Sequence, residues 1–286
     1  MSEFIIDINK CINFKNFYKE ELLKCKVWII CALISSISLF VIFIKYNSIP
    51  MFICFILSCL FIFIPISILY EKINNTVFKN FILPYLKNNI VKSIVYDNNN
   101  KKKFEPSSPP LNRTLGTYWD RWYDVRNVLS GNINNLTYYI ADTNTKCTCC
   151  RYTSTPFYGQ VIELNFNNKI FNNEIYIIPY RVFNKSVPVN FIKINQKNYK
   201  FSIYAAKFSN IEIEYLQQIM EFLNLYNKRQ VYLHMFDNKI LIMIHSNKSF
   251  ISNFNFFTHK YDYRNIIHIL NFIKTLAVGC KNLDQN

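Results

Sequence analysis

The chain has 286 residues, a formal net charge of +15 and an aromatic content of 17%. So basic a chain is expected to bind anionic lipid headgroups or nucleic acid, but it has no helix-turn-helix spacing, zinc-finger pattern or Gly-aromatic RNA-binding signature. Specific nucleic-acid binding is therefore not predicted. Asn, Ile, Lys, Phe and Tyr are abundant, as expected of an AT-rich genome, so the aromatic content alone does not indicate stacking surfaces for bases.

Residues 1–26 form the first predicted segment, which is amphipathic. Its apolar residues recur at helical spacing, at Phe14, Phe17, Tyr18, Leu22 and Leu23. This pattern predicts a helix that either lies on a membrane surface or continues into the segment that follows.

Two uncharged apolar runs dominate residues 27–70. Val27 to Ile44 is 18 residues long and Met51 to Tyr70 is 20. At about 1.5 Å of rise per residue, each helix reaches roughly 27–30 Å, close to the thickness of the hydrocarbon core of a bilayer. The loop between them has only six residues, so the helices must be antiparallel neighbours. The pattern predicts a transmembrane hairpin, with the second helix bent at Pro65.

Two other interpretations of these runs stay open. A signal peptide is disfavoured because 26 residues with both charge signs precede the first run and no small-residue cleavage site follows it. A buried helix pair of a soluble protein needs a domain large enough to cover two helices that are apolar all round.

The lysine positions predict the orientation of the hairpin. Five lysines precede it and seven lie between Glu71 and Lys103, whereas the connecting loop has only Lys45. Under the positive-inside rule, both termini and the bulk of the chain lie in the cytoplasm, where the lysines meet anionic headgroups.

Residues 71–110 are predicted to form a basic helix and a linker. From Asn74 to Ile94 apolar residues recur at helical spacing, which predicts a helix bent at Pro84. The stretch from Asp97 to Pro110 contains an Asn run, three lysines and Ser-Ser-Pro-Pro, which is typical of a linker.

Residues 111–286 are predicted to form a soluble domain that begins with strands and a helix. Four segments rich in Tyr, Ile, Val and Phe alternate as strands do: Ile133–Ala141, Gly159–Phe166, Glu174–Phe183 and Tyr199–Ala206. A helix then starts at a capping box, Ser209–Glu212, and its apolar stripe runs from Ile211 to Tyr226.

The same domain is predicted to end with a hairpin and a helix. Val231–Phe236 and Lys239–His245 alternate around Asp237-Asn238, two residues that tolerate left-handed geometry and so predict a tight turn. A last helix spans about Asp262 to Val278 and is expected to stop at Gly279. The order of elements predicts the α+β class.

The nine cysteines raise the question of metal or redox chemistry. Cys147, Cys149 and Cys150 cluster between two cations, which favour the thiolate form, and thiolates bind soft metals. A structural zinc site needs a fourth ligand. No Cys or His pair has the spacing to supply one, and the histidines are dispersed, at His234, His245, His259 and His268. Reduced cysteines in a polar loop are therefore predicted, with no metal and no cofactor.

One pair of carboxylates could carry acid-base chemistry. Asp120 and Asp124 are four residues apart, which places them one turn apart on a helix. Arg121 and Arg126 lie close enough to neutralise them, which favours a solvated ion-pair patch. The chain has no Gly-rich phosphate loop, nucleophile elbow or HExxH motif, so no catalytic residue is assigned and the protein is not predicted to be an enzyme.

The order of these motifs resembles a known bacterial family, domain of unknown function 3137. The resemblance rests on the hairpin, the basic helix, the Pro-rich linker, Phe157-Tyr-Gly159 and the runs Phe166–Phe171, Phe201–Tyr204, Ile211–Tyr226 and Phe236–Met243. The chain departs from the family at Asn127, where the family tends to have an acidic residue, and at Phe250-Ile251. The resemblance implies a small protein of the bacterial inner membrane with a cytosolic α+β domain and no established activity.

Two functional hypotheses follow. The preferred one is a membrane-tethered interaction module that is held against anionic lipid and recruits a protein or ligand through exposed strand edges or aromatic patches. The alternative is a thiol- or metal-dependent sensor that uses the Cys147–Cys150 loop. Self-assembly through the hairpin into a homo-oligomer is compatible with the first hypothesis.

Overall fold

The computed structural model describes thirteen stretches of the chain, and every structural statement below refers to them. They are residues 5–7, 12–46, 49–60, 63–97, 121–146, 157–179, 192–194, 201–205, 210–224, 231–246, 249–251, 254–255 and 260–283. The chain divides into two compact units: the first comprises residues 1–82 and 251–264, and the second residues 83–250 and 265–286. Helices accompany antiparallel sheets in the structure, which confirms the predicted α+β class.

The first unit is mostly helical. Its helices are α1 (Ile12–Tyr46), α2 (Ile49–Leu60) and α3 (Phe63–Val77), and a π-helical turn follows at Phe78–Ile82. Three short strands form an antiparallel sheet of order β1-β12-β11, in which β1 is Ile5–Asp7, β11 is Phe254–Asn255 and β12 is Lys260–Asp262.

The helices of this unit refine the sequence predictions. The amphipathic lead-in continues into α1 without a break, which is one of its two predicted outcomes. Pro65 lies in α3, and residues 61–62 before that helix lie outside the described residues, so the bend predicted at Pro65 stays a prediction. The helix predicted to begin at Asn74 begins earlier, because α3 already includes Asn74, and the backbone widens into the π-helical turn just before Pro84. A π turn accommodates a proline because it rearranges the hydrogen bonds of the turn before it.

The second unit contains a nine-stranded antiparallel sheet of order β2-β3-β4-β5-β10-β9-β6-β8-β7. The strands are β2 (Ile94–Asp97), β3 (Arg121–Ile133), β4 (Leu136–Lys146), β5 (Tyr158–Phe166), β6 (Ile175–Pro179), β7 (Ile192–Ile194), β8 (Phe201–Ala205), β9 (Val231–Phe236) and β10 (Lys239–His245). Its helices are α4 (Leu83–Asn89), α5 (Asn210–Asn224) and α6, which spans Arg264–Leu283 and so starts on the last residue of the first unit.

The sheet forms the core of this unit together with α5 and α6, and consecutive residues of β5 and β10 are buried. Ile242 pairs with Ile162 on β5, which in turn pairs with Ile140 on β4, and all three side chains are fully buried. Phe166 at the end of β5 lies edge-on to Tyr215 of α5, with 5.8 Å between ring centroids. The two helices meet through the stacked rings of Phe222 and Phe272, 4.0 Å apart. Apolar residues recur along the last helix at helical spacing, and this stripe is buried: Ile266, Ile267, Ile269, Leu270, Ile273 and Leu276.

The predicted hairpin at residues 231–245 is confirmed in both strands and in its turn. Asp237 has a φ of 47°, the left-handed conformation that a two-residue turn of this kind requires. The turn also holds the end of β5, since the Phe166 N–H donates to the Asn238 carbonyl at 2.8 Å and the Asn238 amide donates to the Phe166 carbonyl at 2.8 Å.

Two predictions about element bounds are wrong. The strand expected at Ile133–Ala141 is two strands, because Ile133 ends β3 and the chain turns at Asn134, whose φ is 52°. The last helix passes through Gly279 to Leu283, because glycine inside a helix costs only about 1 kcal/mol and does not by itself end one.

Candidate functional site

Helix α1 lies against α2 and α3, and these two sides are called the helix pair below. The helix pair presents an apolar surface to its surroundings. Among the described residues, 25 large hydrophobic side chains are exposed, and 21 of them lie between Leu23 and Ile68. Trp28 is 69% exposed and Ile37 is 62% exposed, so bulky side chains contribute to this surface. Apolar patches of this extent on a protein are sites of contact with other proteins or with lipid.

Two helical segments are long and apolar enough to cross a membrane by length and composition. They are Asn16–Tyr46, with 31 residues, and Phe52–Asn89, with 38. Only 6% and 7% of their most apolar windows are buried. A core helix of a soluble protein would be mostly buried, so this interpretation of the two runs does not fit the structure.

Contacts along the helix pair fix its geometry. The Ser36 and Ser58 hydroxyls are 2.8 Å apart, and Ser36 also donates to the Ala32 carbonyl at 2.8 Å. Farther from the turn, the ammonium of Lys72 lies 2.7 Å from a carboxylate oxygen of Glu21. Between Ser36 and the turn, four rings pack between α1 and α2 at centroid distances of 5.1–6.4 Å: Phe40, Phe43, Phe52 and Phe55.

A polar cluster surrounds Asp142 of strand β4 in the second unit. The carboxylate accepts hydrogen bonds from the Asn127 amide at 2.8 Å, from the Phe250 N–H at 3.0 Å and from the Ser249 hydroxyl. The Tyr96 hydroxyl donates to the Asn127 carbonyl oxygen at 3.0 Å. Desolvation raises the pKa of Asp142 to about 6, although the hydrogen bonds from Ser249 and Asn127 oppose the rise.

Backbone geometry explains how Asn127 enters this cluster. The register of β3 against β4 shifts between Arg126 and Leu129, and Asn127 has a φ of 53° at this bulge. Asparagine adopts left-handed backbone more readily than most residues, and a bulge re-aims the side chain of the residue it displaces. The cluster therefore ties a strand irregularity to the segment after β10. All its members make hydrogen bonds, so the cluster stabilises the contact between these segments.

His234 occupies a second buried polar position, on β9. Its ring stacks between Tyr176 and Phe236, each with centroids 4.3 Å away. Neither ring nitrogen has a hydrogen-bond partner among the described residues, and the nearest carboxylate, Glu174, lies 3.8 Å away. Desolvation lowers the pKa of His234 to about 3, so the imidazole is neutral and the contact with Glu174 is not an ion pair.

The candidate site residues singled out from the sequence lie where the structure does not describe their side chains. Cys147, Cys149 and Cys150 lie outside the described residues, as does Asp120, and Asp124 is described only in its backbone, as part of strand β3. Within the described part of the chain, no group of three or more His, Cys, Asp or Glu side chains is placed to hold a metal ion. Asp124 lies in strand β3, so a spacing of one helical turn does not apply to it, and the solvated ion-pair patch favoured for Asp120 and Asp124 stays a prediction.

The Asp142 cluster escapes analysis of the sequence. Ser249 is 107 positions from Asp142 and 122 from Asn127, so no local spacing connects them. The available signal in the sequence is a charged residue, Asp142, directly after the apolar Ile140 and Ala141 in β4.

Comparisons with known proteins leave the family open. No family model matches the chain, and no curated protein matches it. One solved structure that it resembles is that of the mycobacterial trehalose monomycolate transport factor A, TtfA, with 11% sequence identity and a TM-score of 0.33. The match covers 63% of this chain and 87% of that one. At this level the similarity supports no inference about function, and the resemblance to domain of unknown function 3137 stays a prediction.

Proposed function

We propose that this chain is an integral membrane protein whose helix pair anchors it in a bilayer, while the sheet unit lies in the cytosol and binds a protein or a ligand. The exposure of the helix pair carries the proposal. Its side chains are as apolar as those of the sheet core, yet almost none of the two candidate spans is buried within the protein. Water would penalise that surface by about 25 cal/mol per Å² of apolar area, whereas a lipid environment removes the penalty.

Internal hydrogen bonding supports the same placement. Ser35, Ser38 and Ser67 are exposed, and each hydroxyl donates to a carbonyl three or four residues earlier in its own helix. A hydroxyl satisfied in this way can face hydrocarbon without leaving an unpaired donor. The described serines of the helix pair therefore fit a lipid environment.

Lysine placement supports the orientation. The flanks of the helix pair carry most of the nearby basic residues and the turn carries only Lys45, which favours cytosolic termini and contact with anionic headgroups. The bacterial inner membrane is the location that this orientation and the family resemblance favour. No part of the proposal requires catalytic chemistry.

Alkaline extraction and protease protection test the anchor and its orientation together. A C-terminally tagged chain should resist extraction from membranes at high pH, and its tag should be cleaved in inside-out vesicles but not in intact cells. A tag cleaved in intact cells would reverse the orientation. Release of the chain by alkali would overturn the anchor itself.

Proximity labelling tests the interaction half of the proposal. A labelling enzyme fused to the C terminus should mark specific cytosolic proteins above the background given by an unrelated two-span anchor carrying the same fusion. The matched control for the sheet unit is the full chain with Ile242→Ala, which weakens its core. Equal labelling by the chain and the unrelated anchor would contradict a binding role.

A further inference from the structure

A partly open cavity of about 540 Å³ lies within the first unit, between α1 and the α2–α3 segment. Apolar side chains supply most of its wall, including Trp28 and Ala32 from α1 and Pro65, Ile68 and Leu69 from α3. Its size falls in the range of roughly 300–1,000 Å³ that is typical of sites for small organic ligands. Most of the residues around it belong to the segments that we place in the bilayer.

The ties on the helix pair explain why a cavity forms here. The Ser36–Ser58 hydrogen bond holds α1 and α2 together at one end, and the Glu21–Lys72 ion pair joins α1 to α3 at the other. Between these ties, the wall opposite α1 is supplied by Ser58 of α2 and by Ile64, Pro65, Ile68 and Leu69 of α3. The cavity is bounded by contacts on both sides and is a defined feature of the unit.

Charged side chains line the cavity at one end only. Glu21 and Lys24 line it there, just before the uncharged run that starts at Val27. Lys24 bonds the carboxylates of Glu20 at 2.8 Å and Glu21 at 3.1 Å, and its side chain is 57% exposed. An ammonium group has three donors, so one remains for an outside acceptor. Lys72 neutralises the carboxylate of Glu21, which reduces its repulsion of an anion.

We propose that this cavity binds one acyl chain of a phospholipid from the surrounding bilayer, with the phosphate of that lipid on Lys24. The inference rests on the proposed membrane anchor. In that placement Lys24 lies at headgroup level and the apolar wall lies at acyl-chain depth, so the polarity of the cavity follows that of a lipid molecule. An acyl chain fills an apolar cavity that opens toward hydrocarbon, because the side chains that line an empty cavity lose their dispersion contacts.

Photocrosslinking with a phospholipid that carries a diazirine in its acyl chain tests this site. The full-length protein is reconstituted into vesicles that contain the probe, illuminated and digested, and the adducts are mapped. We expect adducts on the peptide that contains Trp28 and Ala32 and on the one that contains Ile68 and Leu69. Those peptides should exceed the one that contains Val41, which is exposed but does not line the cavity.

Two exposed serines one turn apart supply a matched pair of variants. Ser35 lines the cavity and Ser38 does not, and each donates to the carbonyl four residues earlier. Ser35→Phe should fill the cavity and lower the cavity adducts about tenfold, while Ser38→Phe should leave them unchanged. Lys24→Gln should lower them more than Lys26→Gln, because only Lys24 lines the cavity.

The possible outcomes separate this inference from the anchor. Release of the chain from the membrane by alkali would overturn both the membrane anchor and the lipid site. A chain that stays in the membrane but carries adducts evenly over its exposed apolar residues, with no difference between the two serine variants, keeps its anchor and overturns the lipid site. Equal effects of the two lysine variants would overturn the role of Lys24.

Discussion

The two units use the same apolar side chains in opposite ways. Isoleucine is exposed at Ile34, Ile37 and Ile44 of α1, whereas Ile240 and Ile242 of β10 are fully buried. The difference lies in the pattern: α1 is apolar on all sides over its central run, while α6 has an apolar stripe that matches the face of the sheet. Residue type alone therefore does not predict burial. The spacing of apolar residues along a helix indicates whether one side of it or its whole circumference avoids water.

Truncation of one isoleucine in each unit should separate them most strongly. Ile242→Ala creates a cavity in the middle of the sheet and is expected to cost about 2–5 kcal/mol of unfolding free energy. Ile37→Ala removes an exposed side chain and should change stability by less than about 0.5 kcal/mol. Thermal unfolding of the full chain in mild detergent, followed by circular dichroism, measures both. Similar losses would contradict the contrast between the units.

A charge placed on the exposed surface distinguishes lipid from water as its surroundings. Ile37→Lys should raise the cost of membrane insertion by about 2.5–3.5 kcal/mol, since the position lies near the middle of its apolar run. The amount of chain that resists alkaline extraction reports the effect. In water the same exposed substitution would be harmless, so unchanged extraction would show that this surface does not face lipid.

The buried imidazole of His234 in the sheet unit should make the stability of the protein fall at acidic pH. Because the pKa of His234 is lowered to about 3 from an ordinary value near 6.5, the unfolded chain binds a proton that the folded chain does not between these values. Stability is therefore expected to fall as pH decreases from about 6.5, by about 1–3 kcal/mol. His234→Phe keeps an aromatic ring between Tyr176 and Phe236 and should remove this part of the slope. An unchanged slope would mean that His234 is protonated in the folded state.

Asp142 should act in the opposite direction over an overlapping range. Its folded pKa of about 6 exceeds the ordinary value near 3.9, so the folded chain holds the extra proton and stability falls as pH rises from about 4 to about 6. Asp142→Asn should eliminate this loss, so its stability should rise more steeply with pH than that of the unmodified chain. Denaturation midpoints at pH 4.5 and pH 7 provide the test, and a shallower rise in the variant would reverse the assignment.

The smallest expected effect is that of the hydrogen bond between the two apolar helices. Ser36→Ala removes the contact with Ser58 and is expected to cost about 0.6 kcal/mol, the average for such bonds within membranes. Ser38→Ala is the control, because the Ser38 hydroxyl bonds within its own helix. Detergent-dependent unfolding of the two variants measures the difference, and equal stability would show that the bond adds nothing.

Elements set by local pattern could be predicted from the sequence, and those set by distant pairing could not. The β9–β10 hairpin follows from alternation and from Asp237-Asn238, and α6 follows from its stripe. Strand β3 was missed because its first residues are charged and aromatic without alternation, and only its pairing with β4 makes them a strand. The same limit applies to Asp142, whose partner Ser249 is 107 residues away.

Among the described strands, β2 and β7 lie at the two edges of the nine-stranded sheet. An edge strand presents unpaired N–H and C=O groups on the side that faces no neighbouring strand, and another chain can add to it there. The strands that lie between β2 and β7 in the sheet, in contrast, have a partner on each side. Any edge-to-edge association of the sheet would therefore start at β2 or β7, which matters for a protein that would be concentrated in two dimensions.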